Sequence, residues 1–383
     1  MEPDKVMAGS DAKGAAKFND VFNPAFYDKL IQKEKGNLIM SSFSLQSVMG
    51  PVFLGAKGDT ASQIKKGLSF PAKESLVKDL NSAFASIDTT GQHEVVSKAA
   101  NRIYIKKGTK LSDDFIKDSN AVKEGMVEEI TFSENEKAAK TINGWVEKQT
   151  NSKIKGLFTK DDFGGPTELV LVNALYFKGK WLNKFRKAGT ANQKFHVTTS
   201  KTVEVPMMRN QGQYSVTILE DLKAKALPLP YTGESFHMVI ILPDEKNGLD
   251  AVEQRLPKFD FAKGFEFSRP MGYQVSVPKF KIESTFELKE TMESLGVQDI
   301  FVQGKADLSG ISDNANNLHV SRIVQKAFVE ANEEGSEAAG TTAVVVTKSR
   351  PQTFVCDHPF IFFIKDSKTG LILFMGRVVD PSE

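Results

Sequence analysis

Across 383 residues the chain has one cysteine, two tryptophans and five histidines. A lone Cys356 excludes any intrachain disulfide. The histidines (93, 196, 237, 319 and 358) are scattered, with no His-x-x-x-His pair and no cysteine set to hold zinc. No metal and no cofactor are therefore expected. A Gly-x-Ser-x-Gly elbow and a phosphate-cradling glycine loop are both absent, so two common enzyme classes drop out. The "CDH" run at 356–358 carries nucleophile, acid and base side by side, but consecutive residues of an extended chain alternate faces and cannot form a relay. The expectation is a buried thiol, and not an enzyme.

No apolar run approaches the roughly 18 residues of a membrane span, so no membrane partner is expected. Fifty Lys+Arg against 48 Asp+Glu leave a charge of +2, too even for a nucleic-acid binder. The basic groups at Lys106, Lys107 and Lys110 and from Lys178 to Lys187 are read as a solvated face rather than a polyanion site. The start lacks the apolar core of a secretory signal and no Asn-x-Ser/Thr sequon occurs. Both suit a cytoplasmic protein, and a mature secreted chain would look the same.

What the chain does contain is a core-sized hydrophobic fraction, 40%, which can build a large core without staples. Residues 1–16 are small and polar and are expected to be disordered. Helical spacing follows at 18–32, with Pro24 as an irregularity, and again at 140–158 with Trp145 turned inward. "TELVLVNALYFKGKW" (167–181) is nearly continuous apolar, as a strand buried on both faces requires. Further strands are read at 237–243, 273–285 and 370–381, and a short helix at 286–296 ending on Gly296. Helices come early and strands late, with no repeat and no linker, so one α+β domain is expected over 17–383.

One segment fits no ordinary element. "EEGSEAAGTTAVVVTKSRP" (333–351) is strand-like in its middle but bracketed like an exposed loop. Taken as a strand, one face is Ser336, Ala338, Gly340, Thr342, Val344 and Val346, all small or apolar. The other begins with Glu337 and continues through Ala339, Thr341, Ala343, Val345 and Thr347. Lys348, Ser349, Arg350 and Pro351 then form a basic, proline-stopped tip that suits a trypsin-like protease. The reading is an exposed bait whose stem can join a sheet.

Several further stretches stand in a fixed order: "SKAANRIYI", "INGWVEKQT", "LVNALYFKGKW", "VEVPMM", "LPYTGESFHMVIILP", "VPKFKIESTFELKETMESLGV", "ADLSGI", "EEGSEAAGTT" and "DHPFIFFI…GLILFMGRVVDP". In this order they resemble the serpin family over nearly the whole chain. The resemblance implies three β-sheets, a large central one among them, surrounded by eight or nine helices, with a reactive loop at about 333–356. It implies a monomeric inhibitor, and it favours secretion over a cytoplasmic location. It implies a mechanism: a protease cleaves the loop, forms an acyl-enzyme, and is trapped when the loop inserts into the central sheet as an added strand.

The resemblance assigns a hinge at Gly335, Ser336, Glu337, Ala338, Ala339, Gly340, Thr341 and Thr342. It assigns a reactive bond at Lys348–Ser349, with Arg350 as rival, although Pro351 after Arg350 resists most serine proteases. Ser41, Ser44 and Asn173 match a polar cluster under the sheet, and Trp181 a buried tryptophan at the loop's entry. Ser42 and Gln325 depart from the family's proline and histidine. Backbone groups left unpaired at the sheet opening would gain partners on insertion. The expected partner is a trypsin-like serine protease, with a papain-like cysteine protease as the alternative, because Val346 precedes Thr347 as such pockets prefer. A non-inhibitory carrier or storage role is the other alternative.

Overall fold

The computed structural model describes residues 4–88, 95–261, 264–265, 268–313, 317–333 and 351–383. The chain opens with helix α1 (Asp4–Lys33), strand β1 (Leu38–Met40) and helices α2 (Ser42–Gly55), α3 (Gly58–Gly67) and α4 (Lys73–Asp88). Next come β2 (Val95–Lys106), α5 (Asp113–Val122), β3 (Val127–Ile130), α6 (Asn135–Gln149) and β4 (Leu169–Gly179). Five strands follow: β5 (Ala191–His196), β6 (Thr202–Tyr214), β7 (Thr217–Leu219), β8 (Ala224–Pro230) and β9 (Phe236–Pro243). Then come α7 (Leu249–Glu253), β10 (Met271–Pro278), β11 (Phe280–Glu287), α8 (Lys289–Ser294) and β12 (Val320–Ala331). β13 (Gln352–Val355), β14 (Phe360–Asp366) and β15 (Ile372–Val378) close the chain.

These strands form three sheets. The central one is five-stranded, in the order β11-β12-β4-β2-β3; a six-stranded sheet runs β1-β15-β14-β9-β8-β7 and a four-stranded one β13-β10-β6-β5. Hydrophobic pattern decides where each strand lies. β4 is buried along nine consecutive residues, as its unbroken apolar run required, because helices cover both sides of it. On the inner side lies the main core, built with α1, α2 and the six-stranded sheet. On the outer side α6 seats Ala138, Ala139, Ile142 and Val146 against Tyr104, Val170, Val172, Val324 and Phe328.

Several readings change. The helix carrying Pro24 begins at Asp4, within the stretch expected to be disordered, and its Ala15 and Ala16 are buried. The helix expected through 158 stops at Gln149, where Asn151 and Ser152 take left-handed backbone angles (φ 50° and 58°) that a helix cannot contain. Trp145 is only half-buried; its ring lies 4.0 Å from the Arg102 guanidinium and edge-on to Tyr104. The stretch 273–285 is two strands in two sheets, parted at Lys279. The helix expected at 286–296 is the shorter α8, since Phe286 and Glu287 belong to β11 and the helix stops at Ser294, capped by Leu295 just before Gly296, whose φ of +87° suits glycine.

Candidate functional site: the seam of the central sheet

β12 and β4 lie side by side and parallel, paired from Val320/Leu169 to Val329/Phe177. Every other described pairing in the central sheet is antiparallel except that of β2 with β3 at the edge. A parallel pair is a seam: a strand turning back from the end of β12 would run antiparallel to both neighbours. The seam is closed along this length, so the unpaired backbone groups expected at an opening are not found between β12 and β4. A strand entering here exchanges one ladder for two, a net gain of one ladder at about 1 kcal/mol per hydrogen bond.

Under the middle of the seam a polar row crosses three strands. Gln325 of β12 stands opposite Asn173 of β4, and Asn173 opposite Asn101 of β2. All three point at the N-terminus of α2. Gln325 Nε2 donates to Asn173 Oδ1 (2.5 Å) and to the Ser41 carbonyl (2.8 Å), while its Oε1 accepts from the Ser41 N–H (2.9 Å). Asn173 Nδ2 donates to Ser44 Oγ (2.5 Å) and to Asn101 Oδ1 (2.8 Å), and Ser44 Oγ donates to Asn101 Oδ1 (2.7 Å). Asn101 Nδ2 reaches Ser47 Oγ at 2.8 Å. Ser41 also caps α2, its Oγ accepting from the Ser44 N–H at 3.1 Å. The structure thus brings Ser41, Ser44, Asn173 and Gln325 together, and adds Asn101 and Ser47.

The two departures from the family pattern both find partners. Gln325 uses its donor and its acceptor, which an uncharged amide can do at once. Ser42 donates to Asn23 Oδ1 at 2.6 Å, tying the start of α2 to α1.

Trp181 belongs to a second cluster, at the upper end of the seam. It is 3% exposed, stacks on Tyr231 (4.6 Å between centroids) and donates its Nε1–H to the Asn332 carbonyl at 2.7 Å. The next residue, Glu333, accepts from Thr190 Oγ1 (2.9 Å) and pairs with Lys279 Nζ (2.9 Å). Burial acts to raise the Glu333 pKa, but the hydrogen bonds from Lys279, its own backbone and Thr190 outweigh it and hold the carboxyl below its ordinary value. Sequence reasoning missed Asn332, Lys279 and Thr190 here. Their partners are 54 or more positions away, and no local pattern marks them.

β12 leads through Glu333 directly toward the bait, and the chain is described again from Pro351 into β13. The hinge residues Gly335, Ser336, Glu337, Ala338, Ala339, Gly340, Thr341 and Thr342, and the bond residues Lys348, Ser349 and Arg350, lie outside the described residues.

The "CDH" run is not catalytic in form. Cys356 is fully buried, and burial, then the charge of Asp357, pushes its thiol well above the usual range. Asp357 and His358 do meet, at 2.8 Å, contrary to the alternating-face expectation, but His358 Nε2 faces the Pro243 carbonyl at 2.9 Å and so has no nucleophile to serve. Among the described residues no group of three potential metal ligands occurs and no helix is long and apolar enough to cross a membrane. Of the basic groups, Lys106 pairs with Glu168 (2.8 Å) and Lys110 approaches Asp313 (3.8 Å).

Comparison with known proteins agrees with this architecture. The family model described as serpin (serine protease inhibitor) matches residues 18–381. The leukocyte elastase inhibitor of Homo sapiens is 39% identical over 359 residues, covering 90% of this chain and 93% of that protein. Serpin B4 of Homo sapiens is 36% identical over 386 residues, covering 95% and 98%. Among solved structures, Serpin48, described as a highly specific serpin of the insect Tenebrio molitor, superposes with a TM-score of 0.83 at 33% identity, covering 99% of this chain and all of that one. A closed parallel seam, a polar latch under its middle and an aromatic one at its upper end, and a family match over nearly the whole length lead to one conclusion: the chain belongs to the serpin family of serine protease inhibitors.

Proposed function

We propose that the chain inhibits a trypsin-like serine protease as a suicide substrate. The protease serine attacks the Lys348 carbonyl, the bond to Ser349 breaks, and the amine of Ser349 leaves while Lys348 stays esterified to the enzyme. The freed stem then enters between β12 and β4. The observation that supports this most is the seam itself, because β12 runs straight toward the bait and its partner β4 is parallel to it.

Sequence chemistry supports the remaining steps. From Glu333 to Lys348 the stem spans about 50 Å at ~3.3 Å per residue. That length carries an attached protease far from the pole where it docked. One face of the stem is small and uncharged throughout, as burial in a sheet demands. Lysine at the cleaved position selects a protease with an acidic pocket.

Incubation with trypsin tests the proposal. An SDS-stable band near the summed mass of the 42.2 kDa chain and the protease is expected, with mass spectrometry placing the released fragment's start at Ser349. Nicked chain alone would assign a carrier or storage role. A stable complex with papain but not trypsin would shift the target to cysteine proteases.

A further inference from the structure

Beside the polar latch lies a cavity of about 260 Å³. It opens where the central sheet runs short of an edge strand. β3 pairs with β2 only from Ile103 to Lys106, so no described strand covers the outer edge of β2 at 98–101. Strand register puts the sheet's share of the wall on one face. Ala99 stands directly opposite Leu175 and Asn101 directly opposite Asn173, and alternate residues of a strand share a side. Asn101 points at α2, so Ala99 and Leu175 point that way too. Phe43 and Ser44 of α2 and Phe84 and Ile87 of α4 close the space from the helical side, and Phe374 of β15 completes it.

The walls are of two kinds. Phe43 and Phe84 meet at 5.7 Å between ring centroids, and with Ile87, Leu175 and Phe374 they make an apolar lining of buried side chains. The polar part is Ser44 and Asn101, whose hydroxyl and side-chain carbonyl already bond to each other at 2.7 Å. A ligand body therefore gains rings and methyl groups here and breaks no hydrogen bond. An apolar cavity of ~150 Å³ is enough to admit benzene, so this one has room for a larger body.

Charge of one sign stands at the rim. No Asp or Glu lines the cavity, and its ionic groups are Lys98 and Lys123. Lys123 caps the end of α5 and holds its ammonium 4.6 Å from the centre of the Phe84 ring, against a wall of the cavity. A cation resting on a ring keeps its charge and its N–H donors. Lys98 has the opposite parity to Ala99 on β2. It is exposed, and it reaches the mouth from the outer face, round the uncovered edge, beside exposed Gln149.

We infer that this cavity is a binding site for an amphipathic carboxylate, an apolar body of medium-chain fatty-acid size with its head at Lys123 and Lys98. The body fills the space between Phe43, Phe84 and Leu175. The head stays at the mouth, where two cations and water stabilise it and no acid opposes it. A carboxylate driven deeper would lose its hydration without gaining a partner, and this fixes the orientation. The site uses neither the bait nor a protease, so the inference goes beyond the inhibitory reading and stands apart from it.

Titration calorimetry of the full chain with decanoate at neutral pH, below its micelle concentration, tests the site, with the melting midpoint as a second readout. A dissociation constant on the order of 0.1 mM is expected for a ligand of this size, together with a rise in the midpoint. Replacing both lysines, Lys98→Gln with Lys123→Gln, should weaken decanoate about tenfold and leave the binding of uncharged octanol as it was. Ala99→Leu and Ile87→Trp grow side chains into the cavity from the sheet and from α4, and each should abolish both ligands. The midpoint without ligand identifies a variant that fails to fold, and the other blocking variant then decides. Decanoate that gives neither heat nor a midpoint shift, or that binds a folded blocking variant as well as the unaltered chain, would overturn the site. Equal decanoate affinity after loss of both lysines would overturn the carboxylate assignment.

Discussion

The two latches of the seam are built from different chemistry. The lower one is a row of neutral amides and hydroxyls, all buried, in which Gln325, Asn173, Asn101, Ser44 and Ser41 satisfy one another. The upper one is an aromatic lid and an ion pair: Trp181 on the Asn332 carbonyl, and Glu333 between Lys279 and Thr190. Lys279 is partly exposed, so its pairing with Glu333 is open to solvent screening. On the proposed mechanism, a stem arriving from the bait would meet this weaker latch first. The lower latch then has to release several buried hydrogen bonds at once, and separating such groups without replacement partners costs about 1–3 kcal/mol each. On that mechanism, entry would be easy to begin and hard to complete, which would keep the intact chain from inserting its own loop without a protease.

The largest expected effect tests passage through both latches. Ser336→Arg places a cation on the inward face of the stem, and burying it unpaired costs several kcal/mol. Cleavage after Lys348 should continue while the trapped complex falls to background on the same gel. Full trapping by this variant would mean the opposite face of the stem is the buried one.

Next comes the lower latch. Asn173→Ala removes the shared partner of Gln325, Ser44 and Asn101, a loss of about 2–4 kcal/mol. The midpoint of thermal or urea unfolding should drop, and heating should drive faster loop insertion or polymerisation. An unchanged midpoint would show that the row carries no load in the intact state.

The smallest effect is at the upper latch and depends on pH and salt. Glu333→Gln should cost about 1 kcal/mol, the scale of a partly exposed ion pair, and less at high salt. Because the folded carboxyl titrates below its ordinary value, its contribution is complete above the unfolded value near 4.5. It is lost as pH falls through the depressed folded value. Stability curves of the unaltered and Glu333→Gln chains should therefore converge as pH drops below about 4.5. The Asn173→Ala difference should persist across the same range, since no ionisable group sits in that row. A pH-independent gap for Glu333→Gln would assign its role to packing.

How far these sites could be read in the sequence depended on the range of the interaction. β4 was legible because burial on both faces leaves an unbroken apolar run within eleven residues. Ser41, Ser44, Asn173 and Gln325 were found only through family resemblance. Their row forms because strand register sets Gln325 against Asn173 and Asn173 against Asn101. Asn101 lies in "SKAANRIYI", a stretch already matched to the family, yet nothing in its neighbours distinguishes it from a surface asparagine. The end of α6 was misjudged by nine residues because apolar spacing continues past Gln149, with Ile154 and Phe158 packing on the same cluster from a non-helical chain.

By itself the sequence determined the α+β class, the small-residue composition of 335–347 and the basic cluster of Lys348 and Arg350, because each depends on residue type and local period. Tertiary structure alone decided that β12 and β4 form a parallel seam and that Glu333 finds Lys279 and Thr190. These arise from register and strand order, which bring together residues dozens to hundreds of positions apart, and local pattern does not encode such pairings.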